Sequence, residues 1–173
     1  MSDEAGLPHK MQDRMEAPFA PRIRTLLDRA DALCAAQNVR LTDLRREVLG
    51  LVLEAASPVG AYDLLDRLRA RRGAAAPPTV YRALDFLLEH GLIHRVERLS
   101  AFVGCIAGDG HGHAAQFLIC RQCHHVIELD DHAVSDALAH AAAAAGFAVS
   151  GATIEAEGLC AACAASSARP APA

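Results

Sequence analysis

Tryptophan is absent from this sequence of 173 residues, and only two tyrosines occur, Tyr62 and Tyr81. There is no apolar run close to the ~20 residues that a membrane-spanning helix needs. The first residues, MSDEAGLPHK, are polar and mixed in charge, so they lack the apolar segment of a secretory signal. We therefore expect a cytoplasmic protein without membrane contact, in which an exposed tyrosine is a candidate binding residue.

An excess of positive charge occurs only in the first half of the chain. Residues 20–100 carry 13 arginines against 10 acidic residues, whereas residues 101–173 carry 2 arginines against 7 acidic residues. A polyanion such as DNA is attracted only by the basic half. Because the excess is small, charge alone gives a hint of nucleic-acid binding and no more.

The first half has the apolar periodicity of four helices followed by a hairpin. The predicted helices span residues 22–37, 41–55, 61–71 and 77–90. Thr42 is a candidate N-cap of the second helix, and the stretch SPVGA before the third is a predicted turn. Two short predicted strands follow, 92–96 and 101–103. Helices followed by a small hairpin form the outline of a winged helix.

The fourth predicted helix is bounded by two prolines at its start and by Gly91 at its end. On a helical wheel one face carries apolar residues, Val80, Ala83, Leu84, Leu87 and Leu88. The opposite face carries Tyr81, Arg82, Asp85, Phe86 and Glu89. This second face is the one that we expect to be available to a ligand.

The second half has the pattern of a small α+β unit. Strands are predicted at 117–120, 126–129 and 147–156, with an alanine-rich helix at 132–145. We expect a flexible arm at residues 1–21 and a winged-helix domain at 22–104. A second domain is expected at 105–165 and a disordered tail at 166–173.

Two CxxC pairs lie in this second half, Cys120 with Cys123 and Cys160 with Cys163. Such pairs could close a disulfide, perform thiol redox chemistry, hold a metal or lie in a core. A reducing compartment disfavours disulfides. Redox chemistry needs the pair at a helix N-terminus, whereas Cys123 leads into the strand-like VIEL. A four-thiolate structural zinc site is therefore favoured, and it adds folding free energy on the order of 10 kcal/mol.

A second set of potential ligands lies outside those pairs: His94, Cys105, His111, His113 and Glu128. A thiolate, imidazoles and a carboxylate suit Zn²⁺, while the sulfur disfavours Mg²⁺ and Ca²⁺. The spacings are loose. From these residues alone, a buried Cys105 and a surface His94 remain open alternatives.

Several motifs of the chain resemble those of the ferric uptake regulator superfamily, and most of all its zinc uptake regulator branch. They are PPTVYRALDFLLEHGLIHRVE, FVGC, GHGH, FLICRQC, IEL and IEAEGLCAAC, and the resemblance covers about residues 22–165. The resemblance implies an α+β protein: an N-terminal winged-helix DNA-binding domain followed by a small α/β dimerisation domain with a zinc site of four cysteines. The iron branch has an HHDH run where this chain has HGHAAQ. That difference weakens an iron-sensing interpretation and leaves a third metal site open.

The resemblance also implies two zinc ions per chain. The structural zinc would be bound by Cys120, Cys123, Cys160 and Cys163. The regulatory zinc would be bound by His94, Cys105, His113 and Glu128, with His111 as the alternative to His113. One ion on these last residues would join the DNA-binding half to the second domain.

The function implied is a zinc-responsive repressor of zinc-uptake genes, not an enzyme. It would bind double-stranded operator DNA as a zinc-loaded homodimer and would have no small-molecule substrate. Tyr81 and Arg82 are then candidates for base contacts, and Thr79 and Tyr62 for other DNA contacts. An iron- or peroxide-responsive regulator is the alternative within the superfamily. A hydrolytic zinc enzyme with Glu128 as base is the alternative from another class, but no HExxH motif occurs.

Overall fold

Apolar residues at helical spacing fold the first half into helices packed on a small sheet. The computed structural model describes residues 19–105, 115–129 and 131–167. The elements of the first half are α1 (Pro21–Ala36), α2 (Asp43–Glu54), β1 (Val59–Gly60), α3 (Ala61–Arg72), α4 (Pro77–Glu89), β2 (Ile93–Val96) and β3 (Ala101–Gly104). Strand β3 lies between β1 and β2 and is antiparallel to both. A 3-10 turn, Glu97–Leu99, joins β2 to β3. We call β2, this turn and β3 the wing.

The core of the first half consists of the apolar faces of all four helices and one face of the sheet. Side chains with no more than 1% exposure come from α2, α3, α4 and β2, among them Val48, Leu64, Leu68, Leu87 and Ile93. Burying one such side chain contributes roughly 1.5–3 kcal/mol. The predicted helices and hairpin are thus confirmed, with ends that differ by one or two residues.

The predicted division of α4 into two faces is wrong at Phe86. This side chain, expected on the open face, is only 8% exposed. The guanidinium of Arg45 lies 3.6 Å from the centre of the Phe86 ring, and the His90 ring lies 4.3 Å from it. The wheel omits these neighbours because they come from α2 and from the end of the helix. Tyr81 and Arg82 remain exposed.

The second half is a three-stranded sheet with two helices. Its elements are β4 (Ala115–Cys120), β5 (Val126–Leu129), α5 (His132–Ala144), β6 (Thr153–Gly158) and α6 (Ala161–Ser167). Strand β4 is central, antiparallel to β5 and parallel to β6. Asp131 caps α5 by accepting a hydrogen bond from the Ala133 N–H at 2.9 Å. The predicted α+β class is confirmed.

Several details of the chain differ from the predictions. The third strand of the second half begins at Thr153 and not at residue 147, because β6 pairs with only the six residues of β4. Val59 and Gly60 form the short strand β1 within the predicted turn SPVGA. Thr42 occupies the N-cap position of α2, but its side chain forms no capping hydrogen bond. The short helix α6 was not predicted.

The structure places Pro21, expected in the arm, at the start of α1, and Ser166, expected in the tail, in α6. Residues 1–18 and 168–173 lie outside the described residues. Phe19, which falls within the predicted arm, is buried against α2, where Gly50 leaves room for its ring. Within the described part of the chain, none of the helices has the length and hydropathy to cross a membrane.

One face of the wing packs on the helices and the other on the second half. Side chains alternate along a strand, so Ile93 belongs to the helical core while His94 and Val96 point the opposite way. Val96 is fully buried in a second apolar cluster with Phe117 and Ile119 of β4. The two halves therefore share a core at their junction, and this junction positions one of the sites below.

Candidate metal centres

The four cysteines of the CxxC pairs converge at one end of the second sheet. Cys120 ends β4 and Cys123 lies in the turn to β5, while Cys160 precedes α6 and Cys163 lies in its first turn. The turn between β4 and β5 is closed by a 2.9 Å hydrogen bond from the Cys120 N–H to the carbonyl oxygen of His125. All four sulfur atoms lie within 4.8 Å of one another. We call this group the cysteine cluster.

The distances between the sulfur atoms fit a tetrahedral zinc ion and not a disulfide. Cys123 Sγ and Cys160 Sγ are 3.7 Å apart. Two thiolates bound to zinc at about 2.3 Å in a tetrahedron are about 3.8 Å apart. A disulfide would hold its sulfur atoms at about 2.05 Å. The donor set therefore fits a structural zinc ion, bound by four thiolates with no open position.

The electrostatics of the cysteine cluster also favour a bound cation. Hydrogen bonds from the backbone N–H groups of Cys160, which lies 3.4 Å from the Cys120 sulfur, and of Cys123 and Gln122 lower the pKa of Cys120 to about 5. The neighbouring Cys160 thiol and burial raise the pKa of Cys163 to about 12. Thiols this close cannot all ionise without a positive charge among them. A divalent metal would supply that charge and accept all four sulfur atoms.

The second group joins the two halves of the protein. His94 on β2, Cys105 after β3 and Glu128 on β5 each bring one ligand atom to within 4.8 Å of the others. His94 pairs with Val103 in the sheet, and alternation places Cys105, two residues further on, on the same face. Glu128 pairs with Phe117, on the face of β4 that meets the wing. We call His94, Cys105 and Glu128 the composite site.

The composite site is mostly closed to solvent. The side chains of His94 and Glu128 are 15% and 8% exposed, and His94 Nε2 lies 3.4 Å from Glu128 Oε1. Burial lowers the pKa of His94, but hydrogen bonds with Cys105 and Glu128 outweigh it and raise the pKa to about 9. Near neutral pH the imidazole of the metal-free protein is therefore protonated. It must lose that proton before it can bind a metal.

The donors of the composite site are one nitrogen, one sulfur and one oxygen atom. This mixed set fits Zn²⁺, which accepts all three donor types in tetrahedral sites. Zinc at such a site usually takes a fourth ligand. The predicted fourth ligand, His113, lies outside the described residues, and so does its neighbour His111.

Two residues that support the composite site were missed in the sequence. The ring of Phe117 meets the His94 ring edge-on, with 5.9 Å between centroids. At Gly104, directly before Cys105, a Cβ atom would overlap the side chain of Leu53. The alternation of β4 could have indicated Phe117. The sequence carries no signal for Gly104, since its neighbour Leu53 belongs to a different element.

The predicted DNA-binding residues lie on α3 and α4. Tyr62 and Tyr81 are 73% and 44% exposed. Arg82 is exposed and has no hydrogen-bond or ion-pair partner among the described residues. Thr79, in the first turn of α4, is half-buried. Tyr62, Tyr81 and Arg82 thus leave polar groups available on the outer surface of the first half.

A winged helix joined to a sheet domain through clustered His, Cys and Glu side chains defines a metal-binding regulator of the winged-helix class. The chain belongs to the ferric uptake regulator family, whose model matches residues 36–157. The zinc uptake regulation protein of Escherichia coli K12 is 48% identical over 138 residues, covering 80% of this chain and 81% of that protein.

Solved structures of related proteins agree with this membership. A zinc uptake regulator in complex with zinc and DNA superposes with a TM-score of 0.81 at 45% identity, covering 87% of this chain and 100% of that one. The holo form of XcZur gives 0.75 at 44% identity, covering 82% of this chain and 98% of that one. The apo form of XcZur gives a TM-score of only 0.50 at 42% identity, covering 84% of this chain and 99% of that one. Because identity and coverage hardly differ, the two scores reflect a difference in shape.

Proposed function

We propose that this protein is a zinc-responsive repressor of zinc-uptake genes that binds operator DNA as a zinc-loaded homodimer. One observation carries the proposal. Three potential ligands from the wing, the connection and the second sheet converge at the composite site. A metal bound there by residues of both halves would hold the DNA-binding half in one orientation. We propose that the boundary between the two domains lies at about residue 105.

The donor set supports zinc as the metal. Cys105 contributes a thiolate, and soft sulfur ligands select zinc over the hard divalent cations. We propose two zinc ions per chain, one in the cysteine cluster and one at the composite site. The first stabilises the fold and the second reports the zinc level.

The arrangement of the two halves supports a metal-driven change of shape. It is closer to the holo form of XcZur than to the apo form. A metal that binds one arrangement better than the others shifts the population toward it. Moving such a balance from 1:99 to 99:1 takes about 5.5 kcal/mol of differential binding. By linkage, DNA that binds the same arrangement must tighten zinc binding by the same factor.

The DNA surface proposed for the first half is centred on α4. A recognition helix in the major groove presents its outward residues to base edges. Arg82 is proposed to contact guanine, the usual partner of arginine, with Tyr81 beside it. Thr79 and Tyr62 are proposed to contact the backbone. The exposure of Tyr62, Tyr81 and Arg82 and the excess of arginine in this half support the assignment.

Homodimer formation is proposed to occur through the second half. Among the described residues, seven of the nine large apolar side chains that are exposed lie there, including Leu118, Ile127 and Phe147. Helix α5 has no buried residue at all. Apolar surface concentrated on one part of a protein marks an interaction site. A two-fold dimer would present two α4 helices to a two-fold-related operator.

The proposal is tested by DNA binding under controlled free metal. Duplex DNA is first selected from a random library by the zinc-loaded protein. Fluorescence anisotropy of that duplex is then followed against buffered free Zn²⁺, Fe²⁺ or Mn²⁺, with a phosphine reductant. We expect Zn²⁺ to induce binding at the lowest free concentration. Binding that is independent of zinc, or induced better by Fe²⁺ or Mn²⁺, would overturn the proposal.

A further inference from the structure

The turn at the tip of the wing is bound by a carboxylate from the other half of the protein. Glu155 Oε1 accepts a hydrogen bond from the Glu97 N–H at 2.6 Å, and Glu155 Oε2 accepts one from the Arg98 N–H at 3.2 Å. The guanidinium of Arg98 also pairs with Glu157. We propose that Glu155 is a positioning residue that latches the wing to the second half and so sets the zinc concentration at which the protein responds. This inference rests on the function proposed above.

The register of the second sheet shows where the latch lies. Phe117 on the central strand pairs with Glu128 on β5 and with Glu155 on β6. Paired residues point to the same face, so both carboxylates face the wing, one on each side of Phe117. Two strand spacings separate them by roughly 10 Å. The composite site thus holds one edge of the junction and Glu155 holds the other.

The wing turn depends on Glu155 for these hydrogen bonds. The first N–H groups of a helical turn have no partner within the turn. The residue at the N-cap position, Val96, has no side chain that can accept from them. A carboxylate that accepts two backbone N–H groups forms stronger hydrogen bonds than a neutral acceptor. The contact also joins different halves, so it exists only while they keep this arrangement.

This geometry couples the latch to the metal. Zinc at the composite site and Glu155 at the opposite edge favour the same arrangement of the halves. Each interaction therefore strengthens the other, as linkage requires. If the latch is removed, zinc must supply more of the free energy that holds the halves together. The protein then needs a higher free zinc concentration to bind DNA.

The test uses the full-length protein with Glu155→Ala, which removes both acceptors, and Glu155→Gln, which keeps one neutral acceptor. Glu157→Gln is the matched control, because it makes the same charge change two residues along the same strand. Its partner, the guanidinium of Arg98, belongs to the same turn, but exposed ion pairs contribute little, so this variant separates the ion pair from the backbone hydrogen bonds that Glu155 accepts. DNA anisotropy is titrated with buffered Zn²⁺. We expect Glu155→Ala to raise the midpoint about threefold to tenfold, Glu155→Gln to raise it less, and Glu157→Gln to leave it within about twofold.

A second measurement tests the latch without DNA. Amide hydrogen exchange is measured at Glu97 and Arg98 in the zinc-loaded protein. We expect both amides to exchange faster in Glu155→Ala, while thermal unfolding and the zinc content of the cysteine cluster stay as in the parent. Glu157→Gln should leave the amide exchange unchanged. A merely structural role would lower the unfolding temperature without this local change.

The outcomes separate this inference from the function on which it rests. If the parent binds DNA in response to zinc and Glu155→Ala matches it in midpoint and amide exchange, the latch is wrong and the function stands. If the parent shows no zinc-dependent DNA binding, the function fails. Amide exchange at Glu97 and Arg98 then tests by itself whether Glu155 binds the wing turn. Unchanged exchange in Glu155→Ala would overturn the latch.

Discussion

His94 Nε2 lies 3.4 Å from a carboxylate oxygen of Glu128, although the two residues belong to different sheets in different halves of the protein. Cys105, on the connection between these halves, completes the group. The pairing brings a helical DNA-binding half and a sheet domain into contact through side chains that a metal can bind.

Replacing Cys105 with alanine should abolish the response to zinc without unfolding the protein. The substitution removes the proposed sulfur ligand of the composite site and leaves the cysteine cluster intact. We expect zinc content to fall from two ions per chain to one, and zinc-dependent DNA binding to be lost. Cys34→Ala, which removes a buried cysteine of α1, is the control and should respond to zinc like the parent. Wild-type zinc dependence in Cys105→Ala would exclude Cys105 as a ligand.

Replacing Cys120 with serine should have a different effect. A structural zinc contributes on the order of 10 kcal/mol to folding, and breaking its site removes most of that stabilisation. We expect the second half to lose its cooperative thermal transition while the helices of the first half remain. Circular dichroism on heating and the zinc content of the variant provide the measurement. A variant with the parent's unfolding temperature would show that the cysteine cluster holds no structural metal.

Zinc binding at the composite site should strengthen as the pH rises toward 9. The pKa of His94 is raised from 6.5 to about 9, so between these values the metal must displace a proton. Affinity should therefore rise by about tenfold per pH unit for each proton released. The same shift stabilises the metal-free protein fully below pH 6.5, and that stabilisation is lost as the pH rises through 9. Competition with a chelator from pH 6 to 9 measures the first effect, and a flat profile would contradict it.

Arg82→Ala should weaken DNA binding mainly at one base position. A bidentate contact from arginine to guanine is worth about 1–3 kcal/mol of discrimination. We expect the variant to lose its preference at that position in a comparison of single-base operator variants. Arg24→Ala, which removes an exposed arginine of α1, is the control. A uniform loss of affinity across all sequences, with a smaller salt dependence, would instead assign Arg82 to the phosphates.

Gly50→Ala should destabilise the first half. The added Cβ would overlap the ring of Phe19, which covers α2 at this point. Such overpacking costs about 1–3 kcal/mol, because the ring must leave its place or the helix must shift. Gly151→Ala is the control, since a Cβ there meets no atom within 4 Å. Denaturant unfolding of both variants measures the difference, and equal stability would show that Phe19 is not an anchor.

Much of the fold follows from local patterns in the sequence. The four helices of the first half have apolar residues at helical spacing and clear punctuation, such as the prolines and Gly91 around α4. The strands of the wing and β5 follow from short apolar stretches. Features that depend on contacts between residues far apart in the sequence were not predicted. Strand β1 exists because β3 lies beside it, and Phe86 is buried because Arg45 covers it.

The candidate sites show the same limit. The spacing of the two CxxC pairs indicated a shared metal site, because each pair places two thiolates side by side. The proposed ligands of the composite site have no regular spacing, and only the resemblance to a family joined His94, Cys105 and Glu128. The structure brings these three together through strand register. The sequence did not indicate the role of Glu155, because its partners are backbone N–H groups, which almost any residue provides.

The central claim is that one zinc ion joins the two halves at the composite site. Crystals of the zinc-loaded protein, with anomalous diffraction recorded at the zinc absorption edge, test it most directly. We predict two zinc peaks per chain. One should lie within the cysteine cluster, and the other within about 2.0–2.3 Å of His94, Cys105 and Glu128. A chain that has only the first peak, or whose second peak lies away from these three residues, would contradict the account.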